Sequence, residues 1–211
     1  MGLAGGILVL GLPRGGIPVA CEVGAALGAP VDALVVRKLG APFNPELAVG
    51  AIAFGGVTVY NEDLLAQLGL DEADVEPIRQ RELAELRRRE HAYRPGLGPV
   101  DLANRTVVLV DDGMATGATM HAAVLAARAL NPRRVIVAIP TAASDAMQRI
   151  EQVADRVVAI ITPEPYFGVG AWYSAFPQLS DDEVMSELAA AAKRHADVVG
   201  RGQQDGGGAA A

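Results

Sequence analysis

Residues 107–120 read VVLVDDGMATGATM. Four consecutive apolar residues predict a strand buried on both faces, because a half-exposed strand would alternate. Two carboxylates, Asp111 and Asp112, then leave the strand together. A run of small and hydroxyl residues follows, GMATGAT (113–119), and opens onto the helical pattern ATMHAAVLAARALN (118–131). A buried strand that passes through a tight loop into a helix is the building unit of a parallel sheet.

The same unit recurs on either side. ILVLG (7–11) predicts a first strand, LPRGG (12–16) a tight turn, and PVACEVGAALG (18–28) a helix with Pro near its start and Gly at its end. VDALVVRK (31–38) predicts a second strand, LGAPFNPE (39–46) a loop, and AVGAIAFGGVTVYN (48–61) one or two short strands. A long charged helix is expected over 71–94. RRVIVAIP (133–140), ASDAMQRIEQVA (143–154) and DRVVAIIT (155–162) predict strand, helix and strand. LSDDEVMSELAAAAKRHAD (179–197) predicts a C-terminal helix with Ser180 as its N-cap. The expected architecture is α/β: a mostly parallel central sheet, helices on both faces, and a small hood or lid region. Residues 1–199 are read as one domain and 200–211 as a disordered tail. Ligands of such sheets gather beyond the carboxyl ends of the strands. The loops at 12–16, 37–46 and 111–119 should therefore share one crevice.

Composition narrows the function. Hydrophobic residues make up 51% of the 211 residues and aromatics only 4%, so Val, Leu, Ile and Ala must fill the core. A net charge of -7 speaks against a non-specific nucleic-acid binder. It leaves room for a small anion in a local basic pocket. Cys21 is the only cysteine, which excludes an internal disulfide and a cysteine metal cluster. The first apolar run, GGILVLGLP, has no charged segment before it and is too short to span a membrane, so a cytoplasmic protein without membrane partners is expected.

Two carboxylates at a strand end can accept hydrogen bonds from a vicinal diol, or hold a divalent cation through water. A glycine loop at a helix start offers N–H groups to an anion. Diol beside phosphate describes a ribose 5-phosphate. A nucleoside-triphosphate loop is excluded because no Lys follows Gly117, and LPRGG lacks the glycine spacing of a dinucleotide fold. Arg37 and Lys38 close an apolar run, in a chain whose only lysines are Lys38 and Lys193. Adjacent cations there suit pyrophosphate oxygens, or charge developing on a leaving group.

Residues 107–120 resemble the signature of the type I phosphoribosyltransferases, which exchange the pyrophosphate of phosphoribosyl pyrophosphate for a nitrogen base. With LPRGG and VVRKLGAP, the chain is similar over about residues 7–185 to a group of these enzymes whose substrate is generally unassigned. The resemblance implies that Asp111 and Asp112 hold the ribose 2- and 3-hydroxyls. It implies that Gly113, Met114, Ala115, Thr116, Gly117, Ala118 and Thr119 wrap the 5-phosphate. Arg14, Gly15 and Gly16 would then bind pyrophosphate in a turn that often carries a strained or cis peptide. Mg²⁺ is the implied cofactor, reached by Asp111 and Asp112 through water, and a homodimer is the expected assembly. Residues 40–56 fall where the family has a mobile lid, in which Glu46 would aid Mg²⁺ or the nucleophile.

The acceptor side is weaker. TPEPYFGVGAWYSAF (162–176) gathers Tyr166, Phe167, Trp172, Tyr173 and Phe176. YFGVG (166–170) loosely resembles the base-stacking segment of purine-using relatives, with Tyr166 or Phe167 as the stacking ring and Val169 beside it. The alternative is that these rings anchor the segment to the core or to a dimer face. Family members usually carry a helical segment ahead of the first strand, whereas here that strand begins within ten residues of Met1. The two functional readings are therefore phosphoribosyl transfer to a nitrogenous base, and a non-catalytic or regulatory protein that binds phosphoribosyl pyrophosphate or nucleotides. The arginines of 79–94 are interleaved with glutamates, as on a solvated helix. Cys21 reads as a small core residue, and His91, His121 and His195 lack ligand spacing.

Overall fold

A computed structural model describes residues 6–94 and 100–205. Five strands form the main sheet: β1 (Ile7–Gly11), β2 (Val31–Ala33), β6 (Thr106–Val110), β7 (Arg134–Thr141) and β8 (Arg156–Ile161), in the order β2-β1-β6-β7-β8. All pairings in it are parallel. Helix α1 (Gly16–Leu27) follows β1, α4 (Ala118–Arg128) follows β6 and α5 (Ser144–Glu151) follows β7. The second sheet is antiparallel, in the order β3 (Val36–Ala41), β4 (Asn44–Ala53), β5 (Val57–Tyr60). Helices α2 (Glu62–Leu68) and α3 (Glu72–Tyr93) return the chain to the main sheet, and α6 (Asp181–Asp205) closes it. No helix among the described residues is long and apolar enough to cross a membrane.

The α/β architecture matches the sequence reading, with helices on both faces. On one face Leu8, Leu10, Val107, Leu109 and Val137 pack with Met120, Ala123 and Val124 of α4 and Ile150 of α5. On the other, Val9, Val108 and Val110 pack with Ala20 of α1. A third core joins Ile17 and Cys21 of α1 to the small sheet, α3 and α6.

Several readings are corrected. Residues 31–38 are not one strand: 31–33 pair with β1, and 36–41 enter the second sheet. The break falls where Leu34 packs into the main core and the next residue, Val35, into the third. A continuous apolar run cannot disclose that its residues serve different cores. Residues 39–46 are not a loop either; β3 and β4 continue through them, turning at Pro42 and Phe43. The segment expected as a lid is thus built into a three-stranded sheet. Helix α2 was not expected, although Asn61 accepts from the Leu64 N–H and Gly69 ends the helix in a left-handed conformation. Ser180 caps α6 as expected: its hydroxyl accepts from the Glu183 N–H at 3.2 Å. That helix continues through 200–205, where the sequence suggested a tail, and 206–211 lie outside the described residues.

Candidate active site

In the main sheet the strand order reverses direction between β1 and β6. A crevice opens beyond the carboxyl ends of strands at such a switch point. The two segments that leave these strands are 12–16 and 111–119. Leu12 N–H still donates to Val110 O at 2.8 Å, so the two chains part side by side. The Pro13–Arg14 peptide is cis, the feature that the resemblance associates with this turn. Gly15 lies against the acids: a Cβ placed on it would sit 1.7 Å from Asp112 Oδ2. No side chain fits between this turn and Asp112.

The carboxylates sit in a costly setting. Burial, then the neighbouring Asp112 charge, push Asp111 up to about 8, against a weaker pull from the Asp112 N–H. That N–H donates to Asp111 Oδ1 at 2.9 Å. Asp112 is also raised, chiefly by burial. A pair of acids held against their charged form suits hydroxyl donors or a cation, either of which repays the lost hydration.

Residues 113–119 bridge from sheet to helix. Met114 is buried and extends the sheet, donating its N–H to Thr141 O and accepting from the Ala143 N–H, both at 2.9 Å. Its side chain therefore belongs to the core, and only its backbone is available to a ligand. Gly117 has φ 75° at the start of α4, a conformation that favours glycine. Ala115 and Thr116 are exposed, and with Gly117 and Ala118 they line a cleft of about 510 Å³ that also contains His121 and Arg149. Arg149 donates to Thr116 O at 2.9 Å and pairs with Asp145 at 3.0 Å, bracing the loop from α5. The sequence reading missed Arg149, since an i,i+4 pair on a helix surface carries no signal of a neighbouring loop. Burial lowers the His121 pKa.

A second cleft of about 460 Å³ contains Pro13 of the turn, Thr119 of the loop, and Arg37 and Lys38 of β3. The structure thus brings together residues from all three segments expected to converge. The two cations differ in surroundings. Arg37 is clamped to Glu82 of α3, with Nη2 to Oε2 at 2.6 Å. Lys38 opens onto the cleft beside it. Arg14 is exposed and lies on the side of Tyr93, which burial pushes up to about 12, and of Asp181, which its hydrogen bond from Tyr93 holds low. The side chain of Glu46 lies outside the described residues.

The aromatic segment folds back over the acids. Val169 packs on Gly113, where an added Cβ would lie 2.7 Å from Val169 Cγ1. The Tyr173 hydroxyl donates to the Asp112 carbonyl. Burial, then Asp112 and Asp111, push Tyr173 up to about 12, so it remains a donor. The two candidate stacking rings separate clearly. Tyr166 packs on the main core with its hydroxyl buried, and its ring lies 6.4 Å from that of Trp172. Phe167 is 76% exposed.

Among the described residues no three His, Cys, Asp or Glu gather to hold a metal. Mg²⁺ commonly takes one or two carboxylates and completes its shell with substrate phosphates and water. Asp111 and Asp112 fit an ion delivered with a phosphorylated substrate.

Fold and site together define an α/β protein with a candidate ligand crevice at the β1–β6 switch point. The Phosphoribosyl transferase domain matches residues 5–174, and the chain belongs to that family. It is 48% identical over 182 residues to a protein of Mycobacterium tuberculosis strain H37Rv named as a candidate phosphoribosyl transferase, and equally to its counterpart in strain CDC 1551. These matches cover 86% of this chain but 41% of the curated relatives' length. Among solved structures, TT1426 from Thermus thermophilus superposes with a TM-score of 0.83 at 42% identity, covering 90% of each chain.

Proposed function

We propose that this chain transfers a 5-phosphoribosyl group from phosphoribosyl pyrophosphate to a nitrogenous base, with release of pyrophosphate. The observation that carries the reading is the contact between Gly15 and Asp112, which sets a pyrophosphate-type turn directly against a diol-type acid pair. An activated ribose presents those two groups at adjacent positions. In this reading a bond from the anomeric carbon to a base nitrogen forms as the bond to pyrophosphate oxygen breaks. The leaving group keeps the electron pair, and the nitrogen loses its proton.

Asp111 and Asp112 orient the ribose and offset positive charge near the anomeric carbon. The backbone and hydroxyls of 115–119 take the 5-phosphate, as helix starts take anions. Gly15 and Gly16 allow pyrophosphate close to the main chain, and Lys38 and Arg14 supply positive charge at the edges. Mg²⁺, when bound with the donor, neutralises pyrophosphate charge beside Asp111 and Asp112. Phe167 offers the exposed ring for a purine-like base, while Tyr166 and Tyr173 hold its segment in place.

Calorimetry with phosphoribosyl pyrophosphate and Mg²⁺ tests donor binding, and pyrophosphate release across a panel of nucleobases tests transfer. Saturable binding with release for at least one base is expected. No binding by the folded chain would overturn the reading, and binding without release for every base would point to a sensor of the donor.

A further inference from the structure

Residues 113–119 contain no lysine, arginine or histidine. The loop assigned to the 5-phosphate therefore offers N–H groups and hydroxyls, but no full positive charge. A phosphate monoester has a second pKa of about 6 and is largely a dianion at neutral pH. A helix start meets only part of that charge. The cation that balances the rest must come from outside the loop.

The cleft of about 510 Å³ against residues 115–118 is lined by His121 of α4, by Asp145 and Arg149 of α5, and by the apolar Ala48 of β4. Arg149 is already engaged by Asp145 at 3.0 Å and by Thr116 O at 2.9 Å, so that pair adds no net charge. Arg37 and Lys38 of β3 lie with Thr119 in the other cleft, beside Pro13 of the turn assigned to pyrophosphate. His121 is the fourth residue of α4. Helical side chains lean towards the N-terminus, over the preceding turn, so its imidazole is carried back towards 117 and 118. Its backbone N–H donates to Gly117 O at 2.8 Å, which joins histidine and loop in one turn of chain. The residue is half-buried, and burial is what holds its pKa below the ordinary 6.5.

We propose that His121 is a further ligand of the 5-phosphate, a titratable cation that joins the loop when the phosphorylated sugar binds. The inference rests on the reading that residues 115–119 take that phosphate. A phosphate beside the ring offsets its lost hydration and favours the imidazolium, so binding draws a proton from solvent onto the ring. The bound-state pKa lies above the ligand-free one. The added affinity is complete below the ligand-free pKa and is lost as pH rises through the bound-state pKa.

Ribose 5-phosphate is the probe, because it carries phosphate and diol without pyrophosphate. Calorimetry compares wild type with His121→Gln, which keeps a polar side chain without the charge. The ratio of the two affinities should be near 1 at about pH 9 and about 10-fold at about pH 5.5, equal to one pKa unit of coupling. The ligand's own titration is common to both chains and cancels. In a chain with His91→Gln and His195→Gln, the one remaining histidine NMR resonance is that of His121. Saturating ribose 5-phosphate should raise its pKa by about one unit. A ratio constant with pH, or a resonance indifferent to the ligand, would overturn the inference and leave the transfer reading untouched. No binding of ribose 5-phosphate at any pH would overturn it together with the loop assignment. Coupling without pyrophosphate release for any base would support it and count against transfer alone.

Discussion

The two walls of the crevice are built in different ways. The wall assigned to the donor comes from two short segments, each leaving the end of one of two adjacent parallel strands. Its geometry is local: the sheet fixes the spacing, and Gly15 against Asp112 fixes the fit. The remaining parts of the candidate site come from distant stretches of the chain. Lys38 and Arg37 come from the small sheet, Glu82 from α3, and Phe167 and Val169 from the segment after β8. A site wall made by one topological feature tolerates little change, whereas one assembled from remote elements can be altered piece by piece.

The sharpest way to break this contrast is to neutralise both acids. Asp111→Asn with Asp112→Asn should weaken donor binding by about 100-fold or more by calorimetry, with the fold retained. Unchanged affinity would remove the diol assignment. Gly15→Ala adds no charge, yet its methyl must displace the Asp112 carboxylate. A loss of about 10–100-fold in donor affinity is expected, from misplacement alone. On the other wall, Phe167→Ala should raise the acceptor KM about 10-fold and leave donor affinity unchanged. Tyr166→Ala should instead lower the melting temperature, because that ring is part of the core.

The smallest effect concerns protons. Asp111 has a folded-state pKa of about 8, above its ordinary 3.8. Over that range the unfolded chain gives up the proton while the folded one retains it, so this group lowers stability as pH rises from about 4 to 8. Asp111→Asn should therefore gain in melting temperature relative to wild type across the same range, by a few degrees at the upper end. An advantage that is constant with pH would show that the acid is already ionised in the folded chain.

The same contrast explains what was legible in the sequence. VVLVDDGMATGAT carries strand, acids and loop in consecutive residues, so both its structure and its place at the sheet edge were readable. The helices with clear caps were readable too, and α2 would have been, since Asn61 and Gly69 mark both its ends. Residues 31–46 were misread because burial of 34 and 35 in different cores leaves no periodic trace. Glu82 clamping Arg37, and Tyr173 meeting the Asp112 carbonyl, join residues 45 and 61 positions apart. No local pattern encodes such pairs. Phe167 and Tyr166 were indistinguishable by type, and only tertiary packing separates the exposed ring from the anchored one.

One contact across the crevice has a thermodynamic corollary. Tyr173 holds the Asp112 carbonyl while Val169 rests on Gly113, so the segment expected to meet the base is fastened to the acids expected to meet the sugar. If a ligand on one side shifts that fastening, the other side must register it. Linkage then makes the effect mutual: whatever factor a bound base gives to donor affinity, the donor returns to the base.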